Sequence, residues 1–128
     1  MANVPAGLLY SKEHEWVKTE GNVVTIGITD HAQGQLGDIV FIELPKIGAQ
    51  VTYMKPMGVV ESVKAASDIF APLSGKIVAI NDALLKTPES VNQDCYGKGW
   101  MVKVEPSKPD ELKALLDTKG YTDLIAKM

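Results

Sequence analysis

Apolar and polar residues alternate along this chain in short runs, each closed by a turn signal. EWVKTE at 15–20 is followed by Gly21-Asn22 and then by NVVTIGI at 22–28. DIVFIEL at 38–44 stops at Pro45, GKIVAIN at 75–81 stops at Asn81-Asp82, and GWMVKVEP at 99–106 ends on proline. A period of two with β-branched residues predicts half-buried strands, and strands spaced this regularly predict an all-β sandwich or barrel. Two stretches read as helical. Asp30 is placed to cap a short turn through HAQGQ, and Pro109-Asp110 opens DELKALLDTKG, whose Leu112, Leu115 and Leu116 keep helical spacing until Gly120. The residues after Tyr121 form one more short helix on this reading. The helices are peripheral to a β core.

The chain also resembles itself. Gly37-Asp-Ile-Val-Phe-Ile recurs as Gly75-Lys-Ile-Val-Ala-Ile, and Gly58-Val-Val-Glu-Ser-Val is echoed by Gly99-Trp-Met-Val-Lys-Val. Two copies are too few for a solenoid, so the expectation is two similar β units, at about 37–63 and 75–104, packed on each other. The segment KAASDIFAPLS starts at the hand-over between them. The chain is β-prone up to Val63, loses that character at Lys64-Ala-Ala-Ser-Asp, and regains it at Ile69. That pattern is strand, tight turn, strand. Ser67 and Asp68 are expected to hydrogen-bond the local backbone as turn residues, while the small Ala65 and Ala66 leave Lys64 exposed at the tip.

Composition narrows the chemistry. With 128 residues and 45% hydrophobic content the chain fits one domain, taken here as 1–128. All 13 basic residues are lysine and the net charge is −3, so the forked guanidinium that reads phosphates and guanine edges is missing and nucleic acid is not an expected partner. No apolar run reaches the length of a membrane span, and the N-terminus lacks the features of a targeting peptide. The expected setting is the cytoplasm of a bacterial cell, or the mitochondrial matrix for a mature eukaryotic chain, and the expected state is a monomer. Cys95, His14 and His31 show neither metal-ligand spacing nor a nucleophile with its base, so no metal and no catalytic residue are assigned and the chain does not read as an enzyme.

Several motifs taken together resemble the H protein family of the glycine cleavage system. They are HEW at 14–16, GITDHAQGQLGDIVFIELPKIGAQV at 27–51, VESVKAASDIFAPLSGKI at 60–77, NQDCYGKGWMVKV at 92–104 and PDEL at 109–112. Glu13 and Gln35 depart from the commonest pattern of that family. The resemblance implies a mostly β fold with two sheets in pseudo-twofold halves, a sandwich or flattened barrel of lipoyl-domain type. Short peripheral N- and C-terminal helices go with it, the β core lying at about 22–105 and the C-terminal helical segment at about 109–127.

The same resemblance implies lipoate joined by an amide to Lys64, the lysine of ESVKA. Such a carrier shuttles the aminomethyl group of glycine from a pyridoxal-phosphate glycine decarboxylase to an aminomethyltransferase, and dihydrolipoamide dehydrogenase reoxidises it. The lipoate attachment enzymes are further partners. Glu61 and Asp68 are implied as recognition acids, and Glu15 with Asp68 as the lining of a shallow acidic cleft against which the arm folds back. A tether of this kind keeps an intermediate at high effective concentration near each site. Biotin carriers place methionines around their lysine, whereas Val63 and Ala65 flank Lys64; Lys55 follows Met54 but precedes Pro56. The HEW segment and the C-terminal helix extend beyond the compact lipoyl module of 2-oxo-acid dehydrogenases. A role as lipoyl or octanoyl donor to other proteins is the alternative function.

Overall fold

The computed structural model describes residues 2–127. Among these residues nine strands form two antiparallel sheets. The larger has the order β1 (Leu9–Tyr10), β2 (Glu15–Glu20), β3 (Val23–Ile28), β9 (Val102–Pro106), β8 (Gly75–Ile80), β5 (Gln50–Val51). The smaller has the order β4 (Ile39–Glu43), β6 (Pro56–Ser62), β7 (Ala66–Phe70). Inward residues of both, among them Ile26, Ile42, Val60, Ile69, Ile77 and Val104, merge into one apolar core, so this is a sandwich and not a closed barrel. Tyr10, Trp16 and Tyr121 form a second cluster, with the Tyr10 and Tyr121 rings stacked at 4.7 Å.

The internal repeat is visible in the strands. Within each copy the two echoing segments pair with each other, β4 with β6 and β8 with β9. Both pairs carry a β-bulge at the same position of the repeat, between Ile39 and Phe41 in one and between Ile77 and Ala79 in the other. The extra residue is Val40 or Val78, left unpaired by the bulge, and each is exposed.

Several expectations need correction. Thr29, not Asp30, caps α1 (Asp30–Leu36): its hydroxyl accepts from Ala32 N at 3.2 Å, and Asp30 sits inside the first turn, where Gln33 Nε2 donates to its carboxylate. The C-terminal segment is not one helix running to Gly120. A 3₁₀ helix covers Pro109–Ala114, the chain extends at Leu115, and α4 (Thr118–Ala126) begins after Asp117, whose carboxylate accepts from Gly120 N. Gly120 therefore lies in the first turn of a helix that Asp117 starts. No helix precedes β1 among the described residues; the remaining short helices, α2 (Ala83–Lys86) and α3 (Ser90–Gln93), lie between β8 and β9.

Candidate functional site: a lysine hairpin beside a histidine-lined cleft

Strands β6 and β7 pair down to Glu61 opposite Ala66, and the chain reverses over Ser62-Val63-Lys64-Ala65. Neither Val63 nor Lys64 has a positive φ, so this is not one of the mirror-image turns that two-residue hairpins favour. Ser62 supplies what the turn lacks. Its N–H donates to Ala65 O at 2.8 Å, and its hydroxyl oxygen accepts from Lys64 N at 3.2 Å and Ala65 N at 3.1 Å. The turn chemistry thus comes from Ser62, ahead of the lysine. Ser67 and Asp68, expected in the turn, are strand residues of β7.

Lys64 and its neighbours Val63, Ala65 and Ala66 are exposed, Val63 at 69%. Val63 N donates to Asp38 O at 3.1 Å, which ties the turn to the loop after α1. Register assigns the acids. Phe41, Glu61 and Ala66 lie opposite one another, as do Glu43, Val59 and Asp68, and residues opposite in an antiparallel sheet share a face. The other face carries the buried Ile42 and Val60, together with Ser67. Glu61 and Asp68 therefore stand together on the outer face, with Glu43 beside them.

Glu15 is elsewhere. It is 1% exposed, and its carboxylate accepts from Ser11 Oγ at 2.5 Å and from Phe70 N at 3.3 Å, so it joins β2 of the larger sheet to β7 of the smaller. Burial pushes its pKa up to about 8, against the smaller opposing effect of those hydrogen bonds. The shift favours the protonated form. Glu15 and Asp68 are not brought together, and Glu15 offers no open carboxylate to an arm.

A cleft of about 400 Å³ does open beside the hairpin, lined by Glu13, His14, His31, Ala32, Gln35, Leu36 and Ser67. One of its two histidines is held in an unusual way. His14 has φ +72°, a left-handed conformation uncommon for a residue with a side chain. His14 N donates to Ser11 O, and His14 O accepts from Thr29 N. Its Nδ1 lies 2.8 Å from Tyr121 Oη, which lies 2.7 Å from Thr29 Oγ1. Burial, then the neighbouring His31 ring at 4.9 Å, lower the His14 pKa, which keeps the ring neutral near neutral pH. HEW points to this segment, but no local signal separates the cleft-lining His14 from the buried Glu15. Glu13 and Gln35 both line this cleft.

Other reactive groups are masked. Cys95 is buried, and desolvation pushes its thiol up to about 12, which suppresses the nucleophilic thiolate. Trp16 is buried and donates from Nε1 to Cys95 O; Tyr96 and Trp100 pack at the rim of the second cluster. Among the described residues no three His, Cys, Asp or Glu side chains are grouped to hold a metal.

A sandwich that exposes a lysine at the tip of a Ser62-capped hairpin, with a cleft beside it, has the form of a carrier domain. The comparisons give the particular carrier. The family model for the glycine cleavage H-protein matches residues 8–128. A glycine cleavage system H protein of Carboxydothermus hydrogenoformans is 55% identical over 125 residues, covering 98% of this chain and 96% of that one. A mitochondrial one of Oryza sativa subsp. indica is 59% identical over 116 residues, covering 91% of this chain and 71% of that one. The crystal structure of a glycine cleavage system H protein from Mycobacterium marinum superposes with a TM-score of 0.87 at 35% identity, covering 96% of this chain and 99% of that one. The chain belongs to the glycine cleavage H-protein family, the non-enzymatic lipoyl carriers of that system.

Proposed function

We propose that Lys64 is the residue to which lipoate is joined by an amide, and that the arm so formed shuttles aminomethyl groups between the enzymes of glycine cleavage. The hairpin carries this reading: an exposed amine, small residues on its downstream side, and Ser62 fixing the backbone so that the tip is presented in one geometry. When attached, the lipoyl group supplies a disulfide that accepts the one-carbon unit and a dithiol that is reoxidised, as cofactors supply chemistry in general. The chain supplies presentation and shelter. The cleft is in the size range of small-molecule sites, it adjoins the hairpin through Ser67, and apolar Ala32 and Leu36 share its wall with His14 and His31.

On this reading the arm folds back into that cleft, and Glu13, not Glu15, is the carboxylate open to a positive charge on the arm. Glu61, Asp68 and Glu43 on the outer face form an acidic surface for the attachment enzymes and for glycine decarboxylase, aminomethyltransferase and dihydrolipoamide dehydrogenase. We assign the chain to the cytoplasm as a monomer. No helix among the described residues is long and apolar enough to cross a membrane. Relatives with and without a mitochondrial designation share the glycine cleavage name, which favours the shuttle over a role confined to donating lipoyl groups.

The test is reconstitution. Lipoylated protein mixed with the three partner enzymes should support glycine decarboxylation, and Lys64→Arg, which keeps charge and fold, should support none. Turnover by Lys64→Arg would refute the assignment.

A further inference from the structure

The cleft and the lysine are joined by one small feature of the backbone. α1 ends at Leu36, and Gly37 follows with φ +79° and ψ −155°, a combination open to glycine and essentially closed to residues with a Cβ. A methyl group added to Gly37 would stand 3.0 Å from Lys64 Cε and 3.7 Å from its Nζ. The end of the lysine side chain therefore lies directly over the bare Cα of Gly37.

Gly37 is itself clamped. Asn92, on α3, donates from Nδ2 to Gly37 O at 2.9 Å and to Gln33 Oε1 at 2.9 Å, while its Oδ1 accepts from Ile39 N at 2.9 Å. Gly37 N closes the helix onto Gln33 O. One side chain from a distant segment thus fixes both ends of the Gly37-Asp38 link, and Asp38 O receives Val63 N from the lysine turn. The residues just before Gly37 are Gln35 and Leu36, which line the cleft. Gly37 is thus both the residue under the end of the Lys64 side chain and the direct continuation of the cleft wall.

We infer that Gly37, held by Asn92, is the seat that steers the Lys64 side chain, so that the attached arm leaves the hairpin toward the cleft and not into open solvent. Gly37 and Asn92 are positioning residues: they act on the arm through Lys64 and touch none of the reacting atoms. The effect is one of preorganisation. A lysine with all its rotamers open sends the arm into the cleft for a small share of the time, and a seat that selects one direction raises that share without adding interactions to the arm. The inference rests on the reading of the cleft as the arm's resting place.

The experiment uses two readouts on wild type, Asn92→Asp, Gly37→Ala and the cleft variant His14→Ala. Asn92→Asp keeps the acceptor for Ile39 N and removes the donors to Gly37 O and Gln33 Oε1. The first readout, on unmodified protein, is the nuclear Overhauser effect between the α-protons of residue 37 and the Lys64 side-chain methylenes, an observable independent of activity. The second, on lipoylated and reduced protein, is the rate at which the arm's thiols react with a bulky aromatic disulfide, folded against unfolded.

Wild type should show the Overhauser effect and a several-fold protection of the thiols. Asn92→Asp and Gly37→Ala should show neither while keeping the native circular dichroism spectrum, and His14→Ala should show the Overhauser effect with the thiols unprotected. Protected thiols in a wild type that gives no Overhauser effect would overturn the seat alone. An Asn92→Asp protein whose thiols stay protected although Lys64 has left Gly37 would overturn steering. Thiols as reactive in folded as in unfolded wild type would remove the cleft reading, and the steering with it.

Discussion

Gly37 and Gly75 occupy the same place in the two copies of the repeat, and each needs to be glycine for a different reason. Gly75 lies in the larger sheet, where an added methyl would run into Glu105 O and stand 2.6 Å from Val104 Cγ1; the neighbouring strand leaves no room. Gly37 has a positive φ, no strand against it, and the end of Lys64 in the space a methyl would fill. The bulge a few residues further on is shared, at Val40 and Val78. One copy has kept its glycine for packing, inside a six-stranded sheet. The other pairs its β4 and β6 in the three-stranded sheet, lends β5 to the larger one, and keeps its glycine beside the lysine. A duplicated β unit separates stability from presentation in this way: the half with few neighbours carries the hairpin.

The largest expected effect falls in the packing half. Gly75→Ala should cost about 3 kcal/mol, because overpacking against backbone has no soft partner to yield, and Gly37→Ala about 1–2 kcal/mol from its φ alone. Denaturant midpoints of both variants measure this. Equal losses would mean that the two glycines serve one purpose.

Next comes the joint between the sheets. Glu15 has a folded pKa of about 8 against an ordinary 4.5, so between those values the native state binds more protons than the unfolded chain and stability falls as pH rises. Thermal midpoints should drop by several degrees from pH 5 to pH 8, and Glu15→Gln should flatten that slope. A wild-type midpoint that climbs over this range would show that Glu15 is a buried anion.

A smaller loss is expected at the cleft wall. Tyr121→Phe removes the hydroxyl shared by His14 and Thr29 and should cost about 1–2 kcal/mol, as a buried pair of hydrogen bonds does. Proton exchange at the His14 ring, followed by NMR, should quicken with it. The smallest effect belongs to the outer face: Glu61→Gln with Asp68→Asn should change stability by less than about 0.5 kcal/mol. The rate of arm attachment should nevertheless fall at low salt and converge with wild type at high salt, since exposed charges act over a Debye length. Identical rates at low salt would remove the acidic face from recognition.

The strand vocabulary, the repeat and the exposed lysine are all legible in the sequence, because alternation and turn residues are local signals. What is hidden depends on partners far along the chain. Glu15 reads as the polar member of an alternating strand, yet Phe70 N and Ser11 draw it inside next to Trp16. Asp68 reads as a turn residue, but Ser62 already satisfies the turn, so Asp68 extends as strand. Asn92 reads as part of a family motif and nothing more, since Gly37 and Ile39 lie more than fifty positions upstream. Two helix starts are local signals all the same. Thr29 before Asp30 and Asp117 before Gly120 are both ordinary N-caps, and each stands beside a more conspicuous neighbour that draws the assignment away from it.

The most direct measurement is peptide mass spectrometry of the protein isolated after growth with lipoate. One lipoyl group on the peptide containing Lys64, with every other lysine bare, is the expected result. Lipoyl on Lys55 or spread over several lysines, or a Lys64 that stays unmodified when the attachment enzymes are active on other carriers, would contradict it.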